Sequence, residues 1–323
     1  MINSQKTTLV TGAAGFIGFH VAKSLLEKGE RIIGIDNLNP YYDVSLKKDR
    51  LKQIKSDPHF TFYHEDISNI DALKRVFSGH HIDRICNLAA QAGVRYSIQN
   101  PFAYEESNLK GFLNLLEMAR QFPVENFVFA SSSSVYGNNK KLPFSIEDNV
   151  DTPISLYAAT KKANELMAHV YSHLFEIPLT GLRYFTVYGP WGRPDMAVFL
   201  FTKAILGGRP IDIYNFGKMK RDFTYIDDIV DGTICALNRP FEYEIFNLGN
   251  SKTVELMELI RIIEEELGVE AKKNFLPLQP GDVPETYADI KRSAKFLRFK
   301  PKTSIRAGIR KFLAWYRGYY KIK

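Results

Sequence analysis

Tyr157 and Lys161 are four residues apart in the run Tyr157-Ala-Ala-Thr-Lys161, a spacing that puts both side chains on one face of a helix. A phenol whose ordinary pKa is near 10 is a poor base at neutral pH, but a neighbouring ammonium favours its ionised form and lets it take a proton from a hydroxyl group. A second group of hydroxyls stands in FASSSSVYG, Phe129–Gly137, where a serine can donate to a substrate oxygen and orient a proton transfer. The third signal is TLVTGAAGFIG, Thr8–Gly18, with Gly12, Gly15 and Gly18 at three-residue spacing. Missing side chains there let the backbone approach an anion, whose charge is met by free N–H groups and a helix dipole. Taken singly, each has an ordinary structural reading: a chance helical pair, a polar loop, turn glycines.

The elements around these residues decide between the two readings. Short β-branched or aromatic runs at Thr7–Thr11, Arg31–Asp36, Phe60–His64, Arg84–Asn87, Asn126–Ala130 and Leu179–Arg183 predict strands. Between them Phe16–Lys28, Pro101–Phe122 and Ser155–Phe175 have helical periodicity. Such alternation predicts an α/β protein, a doubly wound parallel (Rossmann) sheet. The glycines then fall at the turn from the first strand into the first helix, the serines end the fifth strand, and Tyr157 begins a helix. After about Gly181 the pattern changes to Gly-, Pro- and aromatic-rich turns, isolated strands and shorter helices such as Val254–Leu267. The expected division is residues 1–180 for the sheet, with or without the return of 225–250 to it, and 181–323 for a smaller α/β substrate-binding domain around one cleft.

In this frame the anion is the pyrophosphate of a dinucleotide, cradled by Gly12, Gly15, Phe16, Ile17 and Gly18. Asp36 ends the second strand, where a carboxylate can accept both ribose hydroxyls and repel a 2′-phosphate. Asn37 and Leu38 follow it with no arginine, so NAD is expected over NADP. Asp66-Ile67 after the third strand would flank the adenine, and Leu88-Ala89-Ala90 after the fourth would lie beside the cofactor. No metal is expected: His169 and His173 are four apart on the Tyr157 helix, but no HExxH motif or third ligand accompanies them, and they are read as exposed.

Composition narrows the class further. With 323 residues, 45% hydrophobic and 24% charged, the chain can bury a large core. No stretch approaches the roughly 18 apolar residues of a membrane span, and the first residues lack the pattern of a secretion signal, which makes the cytoplasm the expected compartment. Cys86 and Cys235 are read as reduced core residues. The net charge of +7 invites a nucleic-acid partner, yet Lys291–Lys323 holds 12 Lys/Arg and no Asp/Glu, leaving 31 basic against 36 acidic residues elsewhere. Within that tail Ile305, Ile309, Phe312, Leu313 and Tyr316 recur at helical spacing, so a docked terminal helix with solvated charges is expected rather than a polyanion-binding surface.

The ordered set TGAAGFIG, Asp36, LAAQAG, SSSSVYG, Y-x-x-x-K and RDFTYIDD resembles the extended short-chain dehydrogenase/reductase family over essentially the whole chain. The resemblance implies Ser132 as the catalytic serine, Tyr157 as base and Lys161 as its electrostatic partner, with Ser131 and Ser133 beside the site. It further implies a sugar nucleotide: Arg221 in KMKRDFTYIDD resembles a diphosphate contact and Asp282 in PGDVPETYAD a uridine-ribose contact, while Gln279 stands where galactose-type epimerases usually carry arginine. Arg209, Lys218 and Lys220 are read as surface charge. RYFTVYGPWGRPDMA, Arg183–Ala197, is similar to the UDP-glucuronate 4-epimerases, as are DNLNPYYDVSLKKDRL and AQAGVRYS. In that group Thr186 and Arg193 would recognise the sugar carboxylate, a task for which a guanidinium and a hydroxyl are chemically suited. The alternatives are a UDP-glucose 4-epimerase, a UDP-glucuronate decarboxylase and, outside enzymes, an NAD-binding scaffold. A homodimer through the Pro101–Phe122 and Ser155–Phe175 helices is also implied.

Overall fold

The computed structural model describes residues 5–322. Strands β1 (Thr7–Thr11), β2 (Arg31–Ile35), β3 (Phe60–Tyr63), β4 (Arg84–Asn87), β5 (Asn126–Ser132) and β6 (Leu179–Tyr184) form one parallel sheet with the later strand Tyr243–Leu248. The order is Tyr243–Leu248, β6, β5, β4, β1, β2, β3. Strand runs buried along their length, such as Leu9 and Val10 or Ile85 and Cys86, are what a sheet covered by helices on both faces requires. Winding reverses between β1 and β4, so the crevice for a ligand opens beyond the carboxyl ends of those two strands. The sheet draws on residues past 180: β6 runs through to Tyr184, and Tyr243–Leu248 lies at its edge.

The predicted Pro101–Phe122 helix is not uniform. A helical turn at Pro101–Tyr104 leads into a wider π-helical stretch, Glu105–Lys110, before the α-helix Gly111–Gln121. The widening accompanies an inward-facing Asn108 whose amide accepts from Gln91 N (2.8 Å) and donates to Gln91 O and Thr160 Oγ1 (3.0 Å each). A buried amide with all these partners ties the loop after β4 to the Tyr157 helix. Likewise Val254–Leu267 begins with a two-residue strand, Val254–Glu255, before the helix Leu256–Leu267.

The rest of the chain includes two-stranded pairs, Thr186–Tyr188 with Phe223–Tyr225 and Ile211–Ile213 with Lys273–Phe275, and the helices Ala197–Leu206, Leu256–Leu267 and Ile305–Tyr320. The last helix buries Ile309, Phe312, Leu313 and Tyr316. Its Arg306 and Arg310 pair with Glu265 and Glu266, and Lys311 with Asp227, so much of the tail's charge is met inside the molecule. No helix among the described residues is long and apolar enough to cross a membrane. One helix had no clear periodic signal: Val44–Lys52, capped by Asp43, buries Leu46, Lys47, Arg50 and Leu51 on one face.

Candidate active site

At the crevice a cavity of about 1260 Å³ is lined by every residue assigned a site role from the sequence, from Gly12, Gly15, Phe16, Ile17 and Gly18 at one end to Arg221 and Asp282 at the other. That exceeds an ordinary single-ligand pocket and suits a dinucleotide beside a second nucleotide. At the first end, Gly12 has φ +68°, and a Cβ there would lie 2.9 Å from Ala89 N. A Cβ on Gly18 would lie 2.1 Å from Gly12 O. No side chain caps the helix Phe16–Glu27 that follows, so its first-turn N–H groups are left for an anion. This cradle fits the pyrophosphate of a dinucleotide.

Asp36 is buried, and its carboxylate accepts Ala14 N (3.0 Å) and Leu38 N (2.8 Å), keeping lone pairs for further donors. Lys47 stands 4.0 Å away, a cation near the ribose position that sequence reading did not place there. Asn37 donates to Asp66 (2.6 Å), so these two cavity residues fix each other. Ile67, Leu88, Ala89 and Ala90 supply wall between them.

Ser155 Oγ accepts from Ala158 N (3.1 Å), starting the helix Leu156–Phe175 so that Tyr157 falls in its first turn. Burial raises the Tyr157 phenol above its ordinary value, against smaller opposing effects from a hydrogen bond with Ser132 and from the charge of Arg193. Lys161 is buried and donates to Ala130 O (3.0 Å). Without a carboxylate partner, it is pushed by burial down to about 8. Among the protein's own groups, burial outweighs those opposing effects at the phenol.

The strand β5 runs two residues further than expected, and alternation along it separates the serines. Ser131 Oγ donates to Glu165 Oε1 (2.7 Å), which also accepts from Arg183 Nε (2.8 Å). Arg183 in turn donates to Tyr136 (3.0 Å), so Ser131 belongs to a buried framework behind the site. Ser132 remains beside Tyr157, and Ser133 lines the cavity.

Near enough to Tyr157 for its charge to act on the phenol, Arg193 Nε and Nη2 grip Asp195 (3.0 and 2.5 Å), and Tyr41 also donates to Asp195 (3.0 Å). This engages one edge of the guanidinium and leaves Nη1 for another anion. Thr186, whose N–H donates to Asp222 O (3.1 Å), faces the same cavity. Asp282 receives Arg95 (2.8 Å), and Arg95 also stacks on Tyr214. Arg95 and Arg221 thus share the cavity mouth, providing a second guanidinium despite Gln279. Arg95 lies within AQAGVRYS but carried no assigned role; Lys47, Tyr41 and Asp195 had no separate sequence signal. His169 and His173 are exposed, as are Arg209, Lys218 and Lys220, with Arg209 at the cavity edge.

Over 331 residues the chain is 53% identical to Protein CapI of Staphylococcus aureus, covering 97% of this chain and 99% of that protein. It is 47% identical over 308 residues to the UDP-glucuronate 4-epimerase of Thermodesulfobacterium geofontis, covering 95% of each. The crystal structure of UDP-glucuronic acid 4-epimerase from Bacillus cereus, in complex with UDP-glucuronic acid and NAD, superposes with a TM-score of 0.92 at 37% identity, covering 97% of this chain and 100% of that one. Residues 8–249 match the pattern of the NAD dependent epimerase/dehydratase family, to which this chain belongs.

Proposed function

We propose that this chain interconverts UDP-glucuronate and UDP-galacturonate by NAD-dependent inversion at C4, through a 4-keto sugar. The observation that carries the reading is the convergence on one cavity of Ser132, Tyr157 and Lys161 with Thr186 and Arg193. Residues 1–180, with 225–250, hold the cofactor in this scheme, and 181–323 hold the UDP-sugar. The chemistry supplied by bound NAD would be that of a hydride acceptor and donor for C4, so net redox would be zero and the cofactor would be recycled.

Tyr157 removes the C4 hydroxyl proton and later restores it, Ser132 orients that hydroxyl, and the Lys161 ammonium stabilises the phenolate. Gly12, Gly15 and Gly18, with Phe16 and Ile17, cradle the pyrophosphate, and Asp36 takes the ribose hydroxyls. Asn37, Asp66 and Ile67 bound the adenosine half, while Leu88, Ala89 and Ala90 border the rest of the cofactor. On the sugar side Arg221 and Arg95 meet the diphosphate, with Asp282 toward the uridine ribose. Thr186 and the free edge of Arg193 hold the sugar carboxylate. The ketone is a β-keto acid, and holding its carboxylate away from alignment with the carbonyl π system suppresses loss of CO₂. A neutral sugar would leave Arg193 without its anion.

Purified protein incubated with UDP-glucuronate and no added NAD is expected to produce UDP-galacturonate by NMR. A UDP-pentose with CO₂, or turnover of UDP-glucose alone, would replace this reading with a decarboxylase or a neutral-sugar epimerase. No turnover of any of these with NAD bound would favour the scaffold.

The assembly proposed is a homodimer. Leu166, Val170 and Leu174 form an exposed stripe on the helix Leu156–Phe175, with exposed Phe102 and Leu113 on the neighbouring segment. Sedimentation at the 37.0 kDa mass of one chain would reject it. The proposed compartment is the cytoplasm, in keeping with the free thiols of Cys86 and Cys235.

A further inference from the structure

Arg50 is fully buried, and all five of its N–H groups have acceptors. Nε donates to Trp191 O (3.1 Å), and Nη2 donates to Trp191 O (2.7 Å) and Gly192 O (3.4 Å). Nη1 donates to Ala14 O (2.9 Å) and to the Tyr42 hydroxyl (2.7 Å). None of these acceptors is a carboxylate. An apolar side chain of similar length would fill the space without the cost of burying an ion, so what the guanidinium adds is a fixed geometry between its acceptors.

Those acceptors belong to the two ends of the active site. Ala14 lies in the glycine loop, between Gly12 and Gly15. Trp191 and Gly192 immediately precede Arg193. Trp191 holds φ +61°, a left-handed conformation that a bulky side chain seldom adopts unless its surroundings impose it. Here the surroundings are the two N–H groups of Arg50 on its carbonyl and a cage of rings around its indole: Phe19 at 5.9 Å, Trp315 at 5.3 Å and Tyr319 at 5.1 Å between centroids.

We propose that Arg50 is a positioning residue for sugar-acid recognition: by fastening Trp191 and Gly192 to the glycine loop, it sets where Arg193 meets the carboxylate. This inference rests on the uronate reading above. A merely structural Arg50 would weaken all ligands alike; a positioning one weakens only ligands that carry the carboxylate.

The test uses the NAD-loaded enzyme and titration calorimetry with UDP-glucuronate, UDP-glucose and UDP. Arg50→Lys keeps the charge but loses the planar fork; Arg50→Met loses both. In each, UDP-glucuronate is expected to bind at least tenfold more weakly, with UDP changed less than twofold, and lysine giving no rescue. Equal weakening of UDP and UDP-glucuronate, or no change in either, overturns the proposal. Should Arg50→Met fail to fold, Arg50→Lys and Tyr42→Phe, which removes one of the four acceptor atoms, carry the test by the same criterion. If the wild-type enzyme itself shows no preference for UDP-glucuronate over UDP-glucose, the functional reading fails and takes this inference with it. If the wild type prefers the acid and the Arg50 variants keep that preference, the Arg50 role alone fails.

Discussion

At the cofactor end of the cavity, Gly12 and Gly18 bring main chain against main chain so closely that a single added carbon would lie 2.9 Å from Ala89 N or 2.1 Å from Gly12 O. Around Arg193 the contacts are made by long side chains: Arg193 on Asp195, and Asp195 on Tyr41, 154 residues away in the chain. The first end is rigid because its geometry is the backbone's own. The second depends on buried charges being held in place from outside, with Asp195, Tyr41 and Arg50 supplying the hold. Changes at the first end should therefore cost everything, and changes at the second should alter selectivity.

The largest expected effect follows from filling the glycine cradle. Gly18→Val places its Cβ into the Gly12 carbonyl, and the purified variant should retain no NAD by absorbance or by release on denaturation. Retained cofactor would show that the loop can move, contrary to the contrast drawn. Next, Tyr157→Phe should keep NAD and UDP-glucuronate bound while turnover falls about 10²–10⁴-fold, the usual contribution of a positioned acid or base. Intact turnover would remove Tyr157 from the chemistry. Smaller again, Arg193→Met should leave NAD content unchanged, raise the KM for UDP-glucuronate about 10–100-fold, as for loss of a charged contact, and release some CO₂. Unchanged kinetics and products would mean that Arg193 serves Asp195 and not the substrate.

The same contrast explains what the sequence disclosed. Backbone-built features leave short local patterns, so the glycine loop, Asp36 at a strand end and the Tyr157–Lys161 turn could be placed from spacing alone, as could six of the seven strands of the sheet, Tyr243–Leu248 being the exception. Lys47 and Arg50 were missed because they stand on the inward face of a short helix where two of the four buried residues are charged, which defeats hydrophobic periodicity. Asp195 meets Tyr41 and Arg95 meets Asp282 across the fold, and nothing in the residues around them indicates those contacts. The π-helical stretch at Glu105–Lys110 was invisible for a related reason: it accompanies the pairing of Asn108 with the Gln91 loop, a tertiary contact. For the serines, alternation beyond Ala130 separated roles that the run of four identical residues had concealed.

The mildest prediction concerns the seam between the two ends. His20, on the first helix, donates through Nε2 to Pro190 O (3.0 Å), one residue before Trp191. Burial is the main reason its pKa is lowered from 6.5 to about 4, partly opposed by that carbonyl. The folded protein therefore holds a neutral imidazole where the unfolded chain takes up a proton. Stability from this group is complete above pH 6.5, declines as pH falls toward about 4 and is constant below, with at most about 3 kcal/mol at stake. His20→Gln keeps a donor for Pro190 but cannot titrate. The excess unfolding free energy of the wild type over this variant, from urea titrations, should shrink as pH drops from 7 to 5. A difference independent of pH would show that His20 is not buried as a neutral link, and that the Pro190–Arg193 loop is held against the first helix by Arg50 and the surrounding rings alone.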